Sequence, residues 1–186
     1  MDTLQAIKER YSCRSFKDGS IDKDVLDKIV LAGLQAPSAV NQQPWKIVVI
    51  TNKELLDEMD KVTMAHFKTM DDQSLYERMM SRGGKVFYNA PCMILVVKQN
   101  NKDLDCGIVV ENMALASTSL GLGNVIVGLA EITMKLNDYS KYIPEGYEFA
   151  VGLLVGHANQ FKKPHEIDLN KVIYIEWYES ITFILI

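Results

Sequence analysis

Only three cysteines occur in 186 residues, at positions 13, 92 and 106, an odd number with no CxxC spacing. That excludes a disulfide framework and a cysteine-based zinc site. Histidine is as scarce, and His66, His157 and His165 show no ligand spacing, so no metal centre is expected. There is no basic surplus either. Twenty Lys and Arg stand against 24 Asp and Glu, a formal net charge of −4, which makes nucleic acid a poor candidate partner. No apolar run approaches the roughly 20 residues of a membrane helix, and the first residues lack the charged patch and apolar run of a secretion signal. A cytoplasmic protein with no membrane partner is expected.

What is present suits one domain with a full core: 48% hydrophobic and 24% charged residues. From Asp2 to about Tyr11 the spacing of Leu4, Ile7 and Tyr11 predicts a helix with one apolar face. Asp22 reads as the N-cap of a second helix, with Ile21 and Leu26 as a hydrophobic staple and Pro37 closing it. Lys46–Ile50 predicts a buried strand, and a polar helix follows from about Lys53. His66 to Val86, Met-rich and broken at Gly83-Gly84, reads as helix and mobile loop. Cys92–Val97, Asn124–Val127 and Ala150–Val155 predict strands, with Val172–Ile175 a fifth. Asp105–Leu120 is apolar almost all round, a helix packed on several sides and stopped by Gly121-Leu122-Gly123. The fold class expected is α+β.

Several nucleotide and hydrolase motifs fail on context. Gly121-x-Gly123 follows a helix and precedes a strand, the reverse of a dinucleotide fingerprint, whose glycines open a helix onto the pyrophosphate. Gly83-Gly84-Lys85 lacks the earlier glycine and the Ser/Thr of a P-loop. No nucleophile elbow is present.

Three clusters remain. Arg10-Tyr11-Ser12-Cys13-Arg14-Ser15-Phe16 places two guanidiniums four residues apart with a hydroxyl between them. It is either an anion clamp, since the planar fork of Arg binds phosphate bidentately, or a basic helix end complementing the dipole. Ala36-Pro37-Ser38-Ala39-Val40-Asn41-Gln42-Gln43-Pro44-Trp45 is a connection with Trp45 in the core, or a set of donors and acceptors for a uracil-like edge. Gln160-Phe161-Lys162-Lys163-Pro164 is a second basic loop, with a solvated charge pair as its plain reading.

Together these segments resemble the nitroreductase family over nearly the whole chain. The resemblance is carried by Arg10-x-Ser12-x-Arg14-x-Phe16; by Ala36-Pro37-Ser38, Asn41 and Gln43-Pro44-Trp45; and by Asn89-Ala90-Pro91, Leu120–Gly123 and Val151–Gly156, all in order. It implies a three-layer sandwich, a central mainly antiparallel sheet flanked by helices, in an intertwined homodimer with FMN sites at the subunit interface. Arg10, Ser12 and Lys162, with Lys163 beside it, would hold the FMN phosphate. Arg14 would lie toward the pyrimidine, with Asn41 or Gln43 nearby, and Tyr11 and Cys13 belong to the same turn. Pro37, Ser38 and the adjoining Ala39 would come from the partner. Gly128 and Leu129, following Val127, would offer backbone amides to flavin N5 and O4. Lys162-Lys163 stands where relatives often carry Arg, a point charge in place of a fork.

The implied activity is hydride transfer from NAD(P)H through flavin N5 to a small electrophilic acceptor, nitroaromatic or quinone, by a ping-pong mechanism, with no catalytic side chain. Flavin binding without turnover, or a family offshoot with other flavin chemistry (dehalogenation, destruction of the flavin), stays open from sequence. The family domain is expected over residues 1–176. Residues 177–186 form an apolar tail, and an arm from about Asn170 is expected to pack on the partner subunit.

Overall fold

The computed structural model describes residues 1–161 and 163–175. Lys162 and the tail at 177–186, both singled out above, lie outside the described residues.

Six helices and four strands alternate along the described chain: α1 (Thr3–Glu9), α2 (Lys23–Leu34), β1 (Trp45–Ile50), α3 (Lys53–Thr69), α4 (Ser74–Met80), β2 (Cys92–Lys98), α5 (Asp103–Ser119), β3 (Gly123–Val127), α6 (Ala130–Met134) and β4 (Glu148–Gly156). The sheet order is β1-β2-β4-β3, with every neighbouring pair antiparallel. The central strand β2 is buried along its whole length, which is why it reads as an unbroken apolar run. Its side chains alternate between two cores. Met93, Leu95 and Val97 join Leu56, Met59 and Phe67 of α3 on one face. Cys92, Ile94 and Val96 join Ile29 of α2 and Val109 and Met113 of α5 on the other. Two helical layers on one antiparallel sheet make the expected three-layer α+β sandwich. No helix among the described residues is long and apolar enough to cross a membrane.

Local chemistry sets the boundaries. Asp2 accepts from the Gln5 amide at 2.9 Å and Asn52 from the Leu55 amide at 3.0 Å, each a side-chain cap. Asp22 precedes α2 without such a bond, while Ile21 and Leu26 do pack into the same core. After α5, Gly121 takes φ +80, its amide donates to Thr118 and that of Leu122 to Ser117, so this glycine is a helix stop.

Three expectations change. The first helix ends at Glu9 rather than Tyr11, because Arg10 turns extended (φ −57, ψ 128); Ala6, not Leu4 or Ile7, is its buried residue. Within residues 66–86 the expected helix is present and takes up more of the segment than the loop: α3 runs on to Thr69, α4 follows, and Phe67 and Met79 are buried in the core. Val172–Ile175 forms no strand but an exposed segment after a turn at Leu169–Lys171. β-branched residues make a strand only against a neighbour, and no described strand offers this segment one.

Candidate functional site

Arg10 to Phe16 runs extended across the end of the sheet where β3 begins and β4 finishes. Ser12 bridges Asn124 in parallel, the Cys13 amide donating to the Asn124 carbonyl at 2.8 Å. Phe16 pairs with Ala158, and the Lys17 amide donates to the His157 carbonyl at 2.8 Å. This fixes which way each side chain goes. Cys13 packs inward, so close that a Cβ on Gly123 would stand 2.9 Å from its Sγ. Tyr11 is tied by its hydroxyl to the Gln160 carbonyl at 2.9 Å. Burial, with Cys13 beside it, pushes its phenol up to about 12. Asn124 in turn donates to the Ala114 carbonyl and the Thr118 hydroxyl, welding the segment to α5. Its own Oδ1 is buried without a partner.

The arginines are left over. The sequence has four (Arg10, Arg14, Arg78, Arg82), and every ion pair among the described residues is made by lysine. Arg14 lines a pocket of about 410 Å³ with Tyr11, Ser15, Ser81, Arg82 and Gln160, and no carboxylate is among the lining residues. None of Met64, His66, Phe67, Met70 and Tyr76 lines this pocket; Ser81 and Arg82, from the turn after α4, do. Two arginines in a Gly-Gly segment were the available signal.

The remaining candidates lie elsewhere. Gly128 follows β3 four residues past Asn124, about 13 Å along the strand. It is exposed, and nothing stands within 4 Å of where its Cβ would be, so the backbone there is approachable, with Val127 buried before it and Leu129 half-buried after it. Lys163 is exposed beyond Phe161. The Pro37–Gln43 loop is at the other end of the molecule. Its Ala39 amide donates to Asp105 in the first turn of α5, whereas Asn124 meets Thr118 in the last. Thirteen helical residues put these contacts about 20 Å apart. The loop's polar groups also hold one another: Ser38 Oγ accepts from the Gln43 amide at 2.9 Å, and Gln43 Nε2 donates to Asn41 Oδ1 at 3.0 Å. Val40, Asn41 and Gln43 all have positive φ, a conformation that disfavours a β-branched residue such as Val40, itself exposed. Trp45, as its plain reading had it, fills core.

Residues 7–157 match the nitroreductase family. A Methanothermobacter thermautotrophicus protein named NADH dehydrogenase/NAD(P)H nitroreductase is 32% identical over 69% of this chain, and the match spans 62% of that relative's length. One of the same name from Archaeoglobus fulgidus is 28% identical over 90% of this chain and 91% of its own. Among solved structures, a nitroreductase with bound FMN from Desulfitobacterium hafniense superposes with a TM-score of 0.89 at 43% identity, covering 95% of this chain and 100% of that one. One from Bacteroides fragilis, also with bound FMN, gives 0.83 at 26% identity, with the same coverage.

Proposed function

Since the chain belongs to the nitroreductase family, we propose that it is an FMN-dependent oxidoreductase carrying hydride from NAD(P)H to nitroaromatic or quinone-type acceptors by a ping-pong mechanism. The observation that carries the reading is the extended Arg10-Ser12-Arg14 face, whose guanidiniums have no acidic partner among the described residues. Of this face Arg14 lines the carboxylate-free pocket, with Arg82, while Arg10 and Ser12 are not among its lining residues; two guanidiniums without an acid suit an anionic ligand. The orphaned Asn124 Oδ1 lies on the same bridge.

In this reading Arg10, Ser12 and Lys162 hold the FMN phosphate, with Lys163 supplying a further charge. Arg14 sits toward the pyrimidine, where its fixed charge stabilises negative charge as electrons arrive. The approachable backbone at Gly128 and Leu129 meets the ring edge. The redox chemistry is that of FMN when bound; the chain's part is to bind, orient and tune it. The Pro37–Gln43 loop is too far from its own Arg14 to join that site, and completes the site of a partner subunit instead. Leu4 and Ile7 of α1, and Val172 to Ile175, are apolar and exposed, as surfaces covered in a homodimer would be. The arm from Asn170 packs on that partner; a chain truncated after Leu169 that stays a stable dimer in gel filtration would sink this part.

The test of the function is colour and its loss. Purified protein should absorb in the flavin bands or take up added FMN, and NADH or NADPH should bleach it without oxygen. A colourless protein that takes up no FMN defeats the reading, and one that binds FMN but resists both nicotinamides is a binder without turnover. Ping-pong exchange requires that saturating acceptor inhibit competitively against the nicotinamide.

A further inference from the structure

Arg82 is the charged residue lining this pocket to which the cofactor gives no role. It lines the pocket together with Tyr11, Arg14 and Ser15 of the Arg10–Phe16 segment, from the turn that follows α4. That turn is fixed at both ends. Met79 is 1% exposed, and its carbonyl accepts from the Arg82 amide at 3.0 Å and the Gly84 amide at 2.9 Å. Gly83 and Gly84, at φ +97 and +71, then reverse the chain. On the far side the buried Asp60 accepts from the Val86 and Phe87 amides at 2.6 and 3.2 Å. The Ser81 hydroxyl donates to the Arg78 carbonyl at 2.9 Å, and Arg82 is the cation that this turn contributes to the pocket lining. Arg78 already provides a basic group in the last turn of α4, whereas Arg82 lies beyond the helix cap.

The charge count points the same way. In the reading above, Arg10, Lys162 and Lys163 answer the FMN phosphate and Arg14 the pyrimidine. Arg82 is then a surplus cation in the same pocket, beside another guanidinium, with no acid lining it. With the FMN phosphate and pyrimidine answered by other residues, this second guanidinium is available to a further anion brought by the substrate. The nicotinamide nucleotide is the anionic reactant, and a phosphate is the group a planar guanidinium fork grips best.

We propose that Arg82 binds a phosphate of the nicotinamide nucleotide as it docks, a proposal that rests on the flavin reading of this site. Two phosphates offer the same chemistry: the 2′-phosphate found only in NADPH, and the pyrophosphate common to both nucleotides.

The test uses FMN-loaded wild type, Arg82→Gln and Arg82→Lys, with calorimetric binding of NADP+, NAD+ and 2′,5′-ADP beside steady-state kinetics and the FMN dissociation constant. Arg82→Gln should weaken nucleotide binding by about tenfold to a hundredfold, the range for losing a charged hydrogen bond. KM should rise with kcat little changed, FMN affinity should hold, and Lys should restore part of the loss. Weakening of NADP+ and 2′,5′-ADP alone identifies the 2′-phosphate; equal weakening of NADP+ and NAD+ identifies the pyrophosphate. Unchanged nucleotide binding, or a matching loss of FMN affinity, overturns the role of Arg82 while leaving the flavin reading intact. A wild type that takes up no FMN overturns both.

Discussion

Arg10 and Arg14 look alike in sequence, yet the extended segment between them gives them different neighbours. Arg10 caps α1, while Arg14 lines the pocket. On the proposed division, Arg10→Ala should raise the FMN dissociation constant by about tenfold to a hundredfold, the loss of one charged contact, with the reduction rate of saturated enzyme little changed. Arg14→Ala should slow anaerobic reduction by nicotinamide more than it weakens FMN. Equal effects of both variants on both quantities would remove the distinction. Asp60 makes a second residue-scale case. Burial raises its pKa above the ordinary 3.8, against the pull of the two backbone amides it accepts. A raised carboxyl pKa means that the native state holds its proton when the unfolded chain has lost it, so this group lowers stability as pH rises from about 3.8 to its native value. Asp60→Asn keeps an acceptor and removes the charge. Its urea stability should lose that downward slope and match or exceed wild type at neutral pH, while Asp60→Ala strands two buried amides at about 1–3 kcal/mol each. A pH profile for Asp60→Asn identical to wild type would refute the assignment.

At the scale of elements, the four strands and the long helices were legible because their periods are plain: β2 as an unbroken apolar run, α5 as a helix closed by Gly121. The Arg10–Phe16 turn was legible as chemistry but not as structure. Its extended path comes from pairing with Asn124 and Ala158, more than a hundred residues away, which no local propensity encodes. The reading of 66–86 as helix and loop found the helix and missed its anchoring for a similar reason. Met and Gly suggest mobility, but Phe67, Met79 and Asp60 pin the segment through tertiary contacts. Arg82 was passed over with it. The pairing of Ser12 with β3 depends on one small residue: a Cβ at Gly123 would stand 2.9 Å from Cys13 Sγ and 3.0 Å from the Ala158 Cβ. Gly123→Ala should therefore push the arginine segment off β3, costing about 1–3 kcal/mol of stability as an overpacked contact and weakening FMN. Gly107, where nothing stands within 4 Å, is the control: Gly107→Ala should leave FMN affinity alone. If both variants bind FMN like wild type, the segment's seating on β3 is not what forms the site.

Across the whole molecule, the most consequential feature is a separation. The Pro37–Gln43 loop and the arginine segment both carry the family's motifs, yet α5 holds them about 20 Å apart, one on its first turn and one on its last. The family resemblance implied that Pro37 and Ser38 come from the partner; the physical reason, the run of α5 between the two segments, is in no local pattern. If both segments serve one FMN, they come from different subunits, and mixing crippled chains tests it. One chain carries Arg10→Ala; the other has the loop disabled by Ser38→Ala together with Asn41→Ala, which removes the contacts holding Gln43. Each homodimer should bind FMN weakly. After denaturation together and refolding, the heterodimer should contain one site with both defects and one with neither, so a class of tight FMN sites should reappear in titration. Were the two segments to act within one chain, every site in the mixture would carry one defect and no tight class would form. Recovery therefore requires a shared site, and its failure, with heterodimers verified by a tag on one chain, would confine the flavin to the arginine segment and its own subunit.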